Sequence, residues 1–305
     1  MLRSFGFPLI PVNALVVTGL VATLVSGCGK KQEAAPPMAT PSVTLSRDKV
    51  PLGGPIDITY KFVVASDAAF KQDYRVMVHV VDPNEELMWT DDHEPPVPTK
   101  EWKPGQTIEY TRTVFVPVYP YVGEAVIQVG LYGQPNEPRV VLAGEDVGQR
   151  AYRVARLQLA PQSEAVFSVY KDGWHPAEQA EHNAMVEWHW TKKVATLAVR
   201  NPKRDCVLYL ELDNPGGVFD EAQQVTVSAG REGAPALDQF TIVPGKKAIL
   251  RKIPMPATAM GPDENVDVRI EVDKTFVPNR LSPASRDPRE LGVRVFHAVV
   301  VEPSR

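Results

Sequence analysis

Beyond about residue 42 the chain alternates apolar and polar positions. Ile56, Ile58, Tyr60, Phe62 and Val64 form one such stripe, and a period of two marks a strand with one face buried and the other in water. The same pattern runs through Tyr74/Val76/Val78/Val80, Ile108/Tyr110/Val114/Val116 and Ala125/Ile127/Val129/Leu131. Pro51-Leu52-Gly53-Gly54, Lys103-Pro104-Gly105 and Tyr121-Val122-Gly123 separate these stripes as turns. After Leu159-Ala160-Pro161 a second series begins. It comprises Val186–Trp190, Val194–Val199, Cys206–Leu212, Val225/Val227/Ala229, Phe240/Ile242, Ala248–Ile253, Val266/Val268/Ile270/Val272 and Leu291–Val301. No window holds a helical period for the length of an ordinary helix. Pro176–Met185 is the one stretch that accommodates two or three turns. Stacked antiparallel sheets bury such stripes, so the expected fold is all-β. Two antiparallel β-sandwich domains, immunoglobulin-like or jelly-roll-like, are expected over residues 42–158 and 159–305.

The length of 305 residues suffices for two such cores, and 29 prolines argue against long helices. Formal charge is −4. The basic pairs Lys30-Lys31, Lys192-Lys193 and Lys246-Lys247 are scattered rather than clustered, so a nucleic-acid partner is not expected.

The first residues change the picture from a soluble protein to an exported one. Arg3 is followed by an apolar run from Ala14 to Val25 and then by Ser26-Gly27-Cys28, the anatomy of a signal peptide over residues 1–27. The run is about 12 residues, short of the ~20 that a permanent membrane helix needs. Leu24-Val25-Ser26-Gly27-Cys28 resembles the bacterial lipobox, which implies cleavage before Cys28 and its lipidation. Several acyl chains would then hold the protein at a membrane. By the same resemblance, Gly29 favours the outer membrane in a cell that has one. Residues 28–41 are polar, small and proline-rich and read as a flexible tether. Cys206 lies in the apolar run Cys206-Val207-Leu208-Tyr209-Leu210, where a buried free thiol packs as a small hydrophobe.

Two resemblances follow from the folded part. Val76-Met77-Val78-His79-Val80-Val81-Asp82, Thr90–Pro96, Trp102-Lys103-Pro104-Gly105, Val116-Pro117 and Val129-Gly130-Leu131-Tyr132 resemble extracytoplasmic β-sandwich modules that accompany bacterial membrane-bound glycosyltransferases. Asp172–Glu178, Trp188-His189-Trp190-Thr191, Thr275-Phe276-Val277-Pro278 and Ser285–Val293 are similar to a C-terminal β domain of glycan-associated membrane proteins. The resemblance implies an appendage rather than a transferase, with glycans or envelope glycan-assembly proteins as partners.

Asp91-Asp92-His93-Glu94 is the densest group of potential metal or sugar ligands. The prolines that follow at 95, 96 and 98 favour a rigid loop whose aspartates cap turns. His175, His182 and His189 recur every seven residues, but would have to converge from a turn, a short helix and a strand, so no metal is expected. Trp188 and Trp190 share a strand face and suit either sugar stacking or core packing. Trp174 and Trp102, flanked by turn residues, are the expected exposed platforms. Asp287 and Arg289 suit an ion pair that pins a loop, or a contact to carbohydrate. There is no Gly-x-Ser-x-Gly elbow, His-Glu-x-x-His, phosphate loop or dinucleotide fingerprint, so no catalytic residue and no cofactor are assigned. The leading expectation is a non-catalytic envelope lipoprotein that binds or scaffolds. A polysaccharide-active enzyme using Asp91, Asp92 and Glu178, and a structural part of a surface-assembly or secretion complex, remain open alternatives.

Overall fold

The computed structural model describes residues 35–135, 137–163 and 166–302. The leader, Cys28 and most of the tether fall outside them. The chain beyond Pro36 groups as one compact unit, is almost wholly β, and contains two separate hydrophobic cores. Among the described residues no helix is long and apolar enough to cross a membrane.

Nine strands make the first half. They are β1 (Ala39–Leu45), β2 (Lys49–Pro51), β3 (Pro55–Val64), β4 (Arg75–Val81), β5 (Leu87–Thr90), β6 (Thr107–Phe115), β7 (Gly123–Tyr132), β8 (Glu145–Asp146) and β9 (Tyr152–Ala160). One sheet has the order β1-β3-β6, and a second has the order β2-β9-β7-β4-β5, with β8 on β9. Every pairing is antiparallel except β2 with β9. The stripes expected from sequence face inward. Ile56, Ile58, Tyr60 and Phe62 of the first sheet meet Val76, Val78, Ile127 and Val129 of the second in a common core. β1 begins at Ala39, inside the stretch expected as tether, and Ala39–Pro41 pair with Val64–Phe62.

The second half is built from β10 (Ser168–Tyr170), β11 (Glu178–Ala180), β12 (Asn183–Trp190), β13 (Val194–Arg200), β14 (Cys206–Asp213), β15 (Gln223–Ala229), β16 (Ala236–Ile242), β17 (Ile249–Met255), β18 (Asn265–Val272) and β19 (Arg294–Val301). These pair as β10-β13-β18-β15-β16 and β11-β12-β19-β14-β17. Leu197, Leu208, Leu210, Val225, Val268 and Ile270 fill the space between the sheets with no exposure. Cys206 is buried and free, and burial pushes its thiol up to about 11, with help from Asp205 and Glu302. It is therefore an uncharged packing group at neutral pH.

The stretch Pro176–Met185 is not a helix. It holds β11, a two-residue turn and the start of β12, a hairpin in which Glu178 pairs with Trp188 and Gln179 with Glu187. β12 continues onto β19 through His189 and Trp190, and sheet pairing overrides a weak local preference.

A register shift between Glu211 and Leu212 leaves Phe296 opposite no residue of β14. Such a bulge puts two successive side chains on one face. Val295 therefore points into the core, Phe296 and His297 point away from it, and Ala298 and Val300 point in again. The outer face thus formed meets the first half. Phe115 stacks on His297 at 3.9 Å and meets Tyr209 edge-on, Lys252 bonds both oxygens of Asp57 at 2.7 and 2.8 Å, and Val166, Val299 and Val301 close a small apolar cluster there. Asp57 and Phe115 lie at the end of β3 and β6 remote from Ala39, which is opposite Val64. The seven-residue step from Asp57 to Val64 spans roughly 23 Å of strand.

Trp102 is 3% exposed. Its ring packs on Phe62 and Phe70, and its indole N–H donates to the Val97 carbonyl at 2.9 Å, so the expectation of an exposed platform is corrected. A flanking turn places a residue at a sheet end, and here the sheet end is roofed by that turn. Trp102→Ala is expected to lower unfolding free energy by about 3–5 kcal/mol, the range for emptying a buried aromatic site, as read from the urea midpoint.

Candidate functional site

The candidate residues of the first half form one closed network. Arg112 occupies an inward position of β6 between Tyr110 and Val114, opposite Ile58, and reaches Asp91 with two bonds of 2.9 and 2.7 Å. The Tyr60 hydroxyl also donates to Asp91, at 3.2 Å. His93 is 6% exposed, with Nδ1 2.7 Å from the Asp91 carbonyl and Nε2 2.8 Å from the Tyr110 hydroxyl. A carbonyl only accepts, so Nδ1 carries the proton and Nε2 accepts from Tyr110. Asp92 accepts the Val78 N–H at 2.9 Å. Asp91, Asp92 and His93 therefore seal the side of the sandwich between the edge strands β5 and β6, rather than facing a ligand. Burial raises the Tyr60 and Tyr110 hydroxyls well above the usual tyrosine range, so both stay protonated donors. Burial lowers His93 and, on the outer face of its sheet, His79.

In the second half four of the candidates come together. Asp287 and Arg289 are chelated, Nε to Oδ1 at 2.9 Å and a terminal nitrogen to Oδ2 at 2.7 Å. This pair holds Asp287 below the usual carboxylate range and raises Arg289. Arg289 also bonds Glu178 of β11 at 2.7 Å, and the other oxygen of Glu178 accepts the Trp190 indole N–H at 3.3 Å. Trp190 is 7% exposed and packs on Phe276, which meets Phe219 edge-on at 5.8 Å. Trp188 is half-buried. The Arg294 guanidinium lies 4.9 Å over its ring and is fixed in turn by two bonds to Asp213 of 2.8 and 2.7 Å. The Trp188 indole nitrogen is buried with no partner. Trp174 is not the expected free platform. It is half-buried against the core, donates to the Thr196 carbonyl at 2.7 Å, and meets Tyr170 edge-on.

Above Trp190 and Phe276 the loops 214–221 and 274–292 enclose an open cleft of about 690 Å³, lined by Val218, Phe219, Val277, Arg280, Leu281 and Glu290 among others. A smaller recess on the other side of Phe219 carries Asp220, Glu221 and Lys274. Two amides with no exposure hold the feet of the longer loop. Gln223 donates to the Lys274 carbonyl at 2.7 Å, and Asn214 donates to Gln223 at 2.7 Å and to the Gly292 carbonyl at 3.2 Å. Phe276 and Leu291 exchange backbone bonds just above. Gly292 is required for this approach, because a Cβ there would sit 2.5 Å from Thr191 Oγ1 and 2.7 Å from the Lys192 carbonyl.

Sequence reasoning selected Trp190, Asp287 and Arg289 but not Phe219, Arg280 or the amide clamp. The available signal was Val218-Phe219, an apolar pair set between Gly216-Gly217 and Asp220-Glu221. Among the described residues no group of three or more His, Cys, Asp or Glu side chains is placed to hold a metal ion.

No family model matches the chain, and no curated protein matches it. Solved structures do. An exo-β-1,3-galactanase from Phanerochaete chrysosporium is similar over 86% of this chain and 56% of its own, at 10% identity and a TM-score of 0.31. A family GH115 4-O-methyl-α-glucuronidase is similar over 50% of this chain and 20% of its own, at 18% identity and a TM-score of 0.30. The Cry4Aa toxin of Bacillus thuringiensis is similar over 87% and 53%, at 6% identity and a TM-score of 0.30. The chain thus spans between one fifth and just over half of these proteins.

Two measurements check this geometry. His93 is held neutral in the fold, so the unfolded chain takes up a proton first as pH falls below about 6.5, the ordinary histidine value. Urea unfolding is expected to show full stability above that pH, a decline from pH 6.5 toward 5, and a smaller decline in His93→Gln. Asp73 and Asp287, whose acidities Lys100 and Arg289 increase, lose their contribution only below about pH 4. Gln223→Leu leaves the Lys274 carbonyl without its partner and is expected to cost about 1–3 kcal/mol, with faster amide exchange confined to the 274–292 loop.

Proposed function

We propose that this chain is a lipid-anchored, non-catalytic protein of the bacterial cell envelope, attached through Cys28, that presents a binding surface to a glycan or to the glycan-assembly machinery. The observation that carries the reading is the placement of the two ends of the first sandwich. Ala39, where the chain enters, lies opposite Val64, whereas Asp57 and Phe115, which hold the second half, lie at the other end of the same strands. The eleven residues from Cys28 to Ala39 reach at most about 40 Å when extended. In this reading the tether joins the first sandwich at the end remote from its contact with the cleft-bearing half. The outer membrane is the expected site in a cell that has one.

Binding is favoured over hydrolysis because the carboxylates that the sequence offered to a hydrolase are committed elsewhere. Asp91 is held by Arg112, Asp92 by a backbone N–H, and Glu178 by Arg289 and Trp190.

Full-length protein expressed in a diderm bacterium tests the anchor. Mass spectrometry of the amino-terminal peptide is expected to find Cys28 first in the mature chain and acylated, with the protein in the membrane fraction. Cys28→Ala is expected to abolish acylation and membrane retention. An unmodified Cys28 behind an intact leader in the wild type refutes the proposal.

A further inference from the structure

The cleft formed by loops 214–221 and 274–292 has its frame fixed from below. Gln223 and Asn214 clamp the feet of the longer loop, Phe276 and Leu291 bridge it, and Arg289 ties it to β11 through Glu178. Loops fixed in this way on a sheet scaffold give a preformed site, and affinity is not spent on ordering them.

The lining then decides what fits. Val218, Phe219, Val277 and Leu281 give an apolar floor, and Leu281 is left 53% exposed. Phe276 stands edge-on beneath Phe219 and holds its ring in place. The charged groups that line the cleft are one of each sign, Arg280 and Glu290. One cation and one anion create no strong net field, so an ion of either sign gains little. The same groups do supply both donors and acceptors at fixed positions, and Thr275 holds Glu290 with a bond of 2.8 Å.

A ligand with one apolar face and a rim of hydroxyls that both donate and accept satisfies all of this, and its size must suit a space of about 690 Å³. We infer that the cleft is a saccharide site that takes pyranose units of a neutral glycan, with the C–H face of a ring on Phe219. The inference rests on the reading of the chain as a binding protein and names that surface and its ligand class. In the adjoining recess Lys274 lies 5.4 Å over the Phe219 ring.

Calorimetric titration of the full-length protein in detergent with cellotetraose, β-1,4-mannotetraose and the anionic tetragalacturonate tests the assignment. At least one neutral tetraose is expected to bind, and tetragalacturonate at least tenfold more weakly. Phe219→Ala and Arg280→Ala are each expected to weaken neutral binding about tenfold or more. Arg280 is exposed, so its variant keeps the test valid if Phe219→Ala lowers the melting temperature. Failure of both neutral tetraoses to bind overturns the inference, as does tighter binding of tetragalacturonate or unchanged affinity in both variants. The Cys28→Ala protein is expected to titrate like the wild type. Loss of the anchor and loss of the saccharide site therefore register in separate measurements.

Discussion

A polar atom shut between two dry layers costs about 1–3 kcal/mol unless something pairs with it, and both halves of this protein are arranged around that cost. In the first half an arginine enters on the inner face of an edge strand, and an aspartate, two tyrosines and a histidine are drawn to it until nearly every donor has an acceptor. In the second half two fully buried amides, Asn214 and Gln223, pair with the main chain at the feet of a long loop. The same physical demand gives a sealed flank in one half and a rigid crater rim in the other. The exceptions fall in both halves. Nε of Arg153 in the first half, and the Asn214 amide oxygen and the Trp188 indole nitrogen in the second, are buried without a hydrogen-bond partner. An apolar sheet interior specifies a fold but no single arrangement of its loops. A buried polar group, whose partner must stand within about 3 Å, does specify one.

The bulge in β19 couples this local order to the arrangement of the two halves. Without the shift at Glu211, strict alternation would place His297 inward and leave the outer face without the ring that stacks on Phe115. Phe296, outward by ordinary alternation from Val295, lies beside Trp188 and Arg294 on that outer face. The extra residue therefore supplies the ring that meets the first half.

The sheets were legible in the sequence because a period of two is a direct consequence of burying one face, and Ile56 to Val64 or Val266 to Val272 can hardly be read otherwise. Errors arose where local pattern and tertiary setting part. Trp102 follows a single 3₁₀ turn and precedes Pro104-Gly105, which suggests exposure, yet that turn folds over the sheet end and closes on Phe62 and Phe70. The hairpin of β11 and β12 was read as a short helix because its pairing partners, β19 above all, lie a hundred residues away. Its fixing ion pair, Glu178 with Arg289, is equally remote.

The cleft was the least legible feature, and the reason is general. Its floor and rim come from two loops some sixty residues apart in the chain, and each taken alone resembles ordinary turn composition. A readable clue lay elsewhere, in polar residues standing at inward phases of apolar stripes. Arg112 interrupts Ile108, Tyr110 and Val114, and Gln223 opens the stripe of Val225 and Val227. A charge or amide in such a position is tolerated only when a distant group meets it. Each one therefore announces a long-range contact without naming its partner. In this protein the partners were Asp91 in one case and the carbonyls that frame the cleft in the other, so out-of-phase polar residues pointed to loop architecture better than the conspicuous tryptophans did.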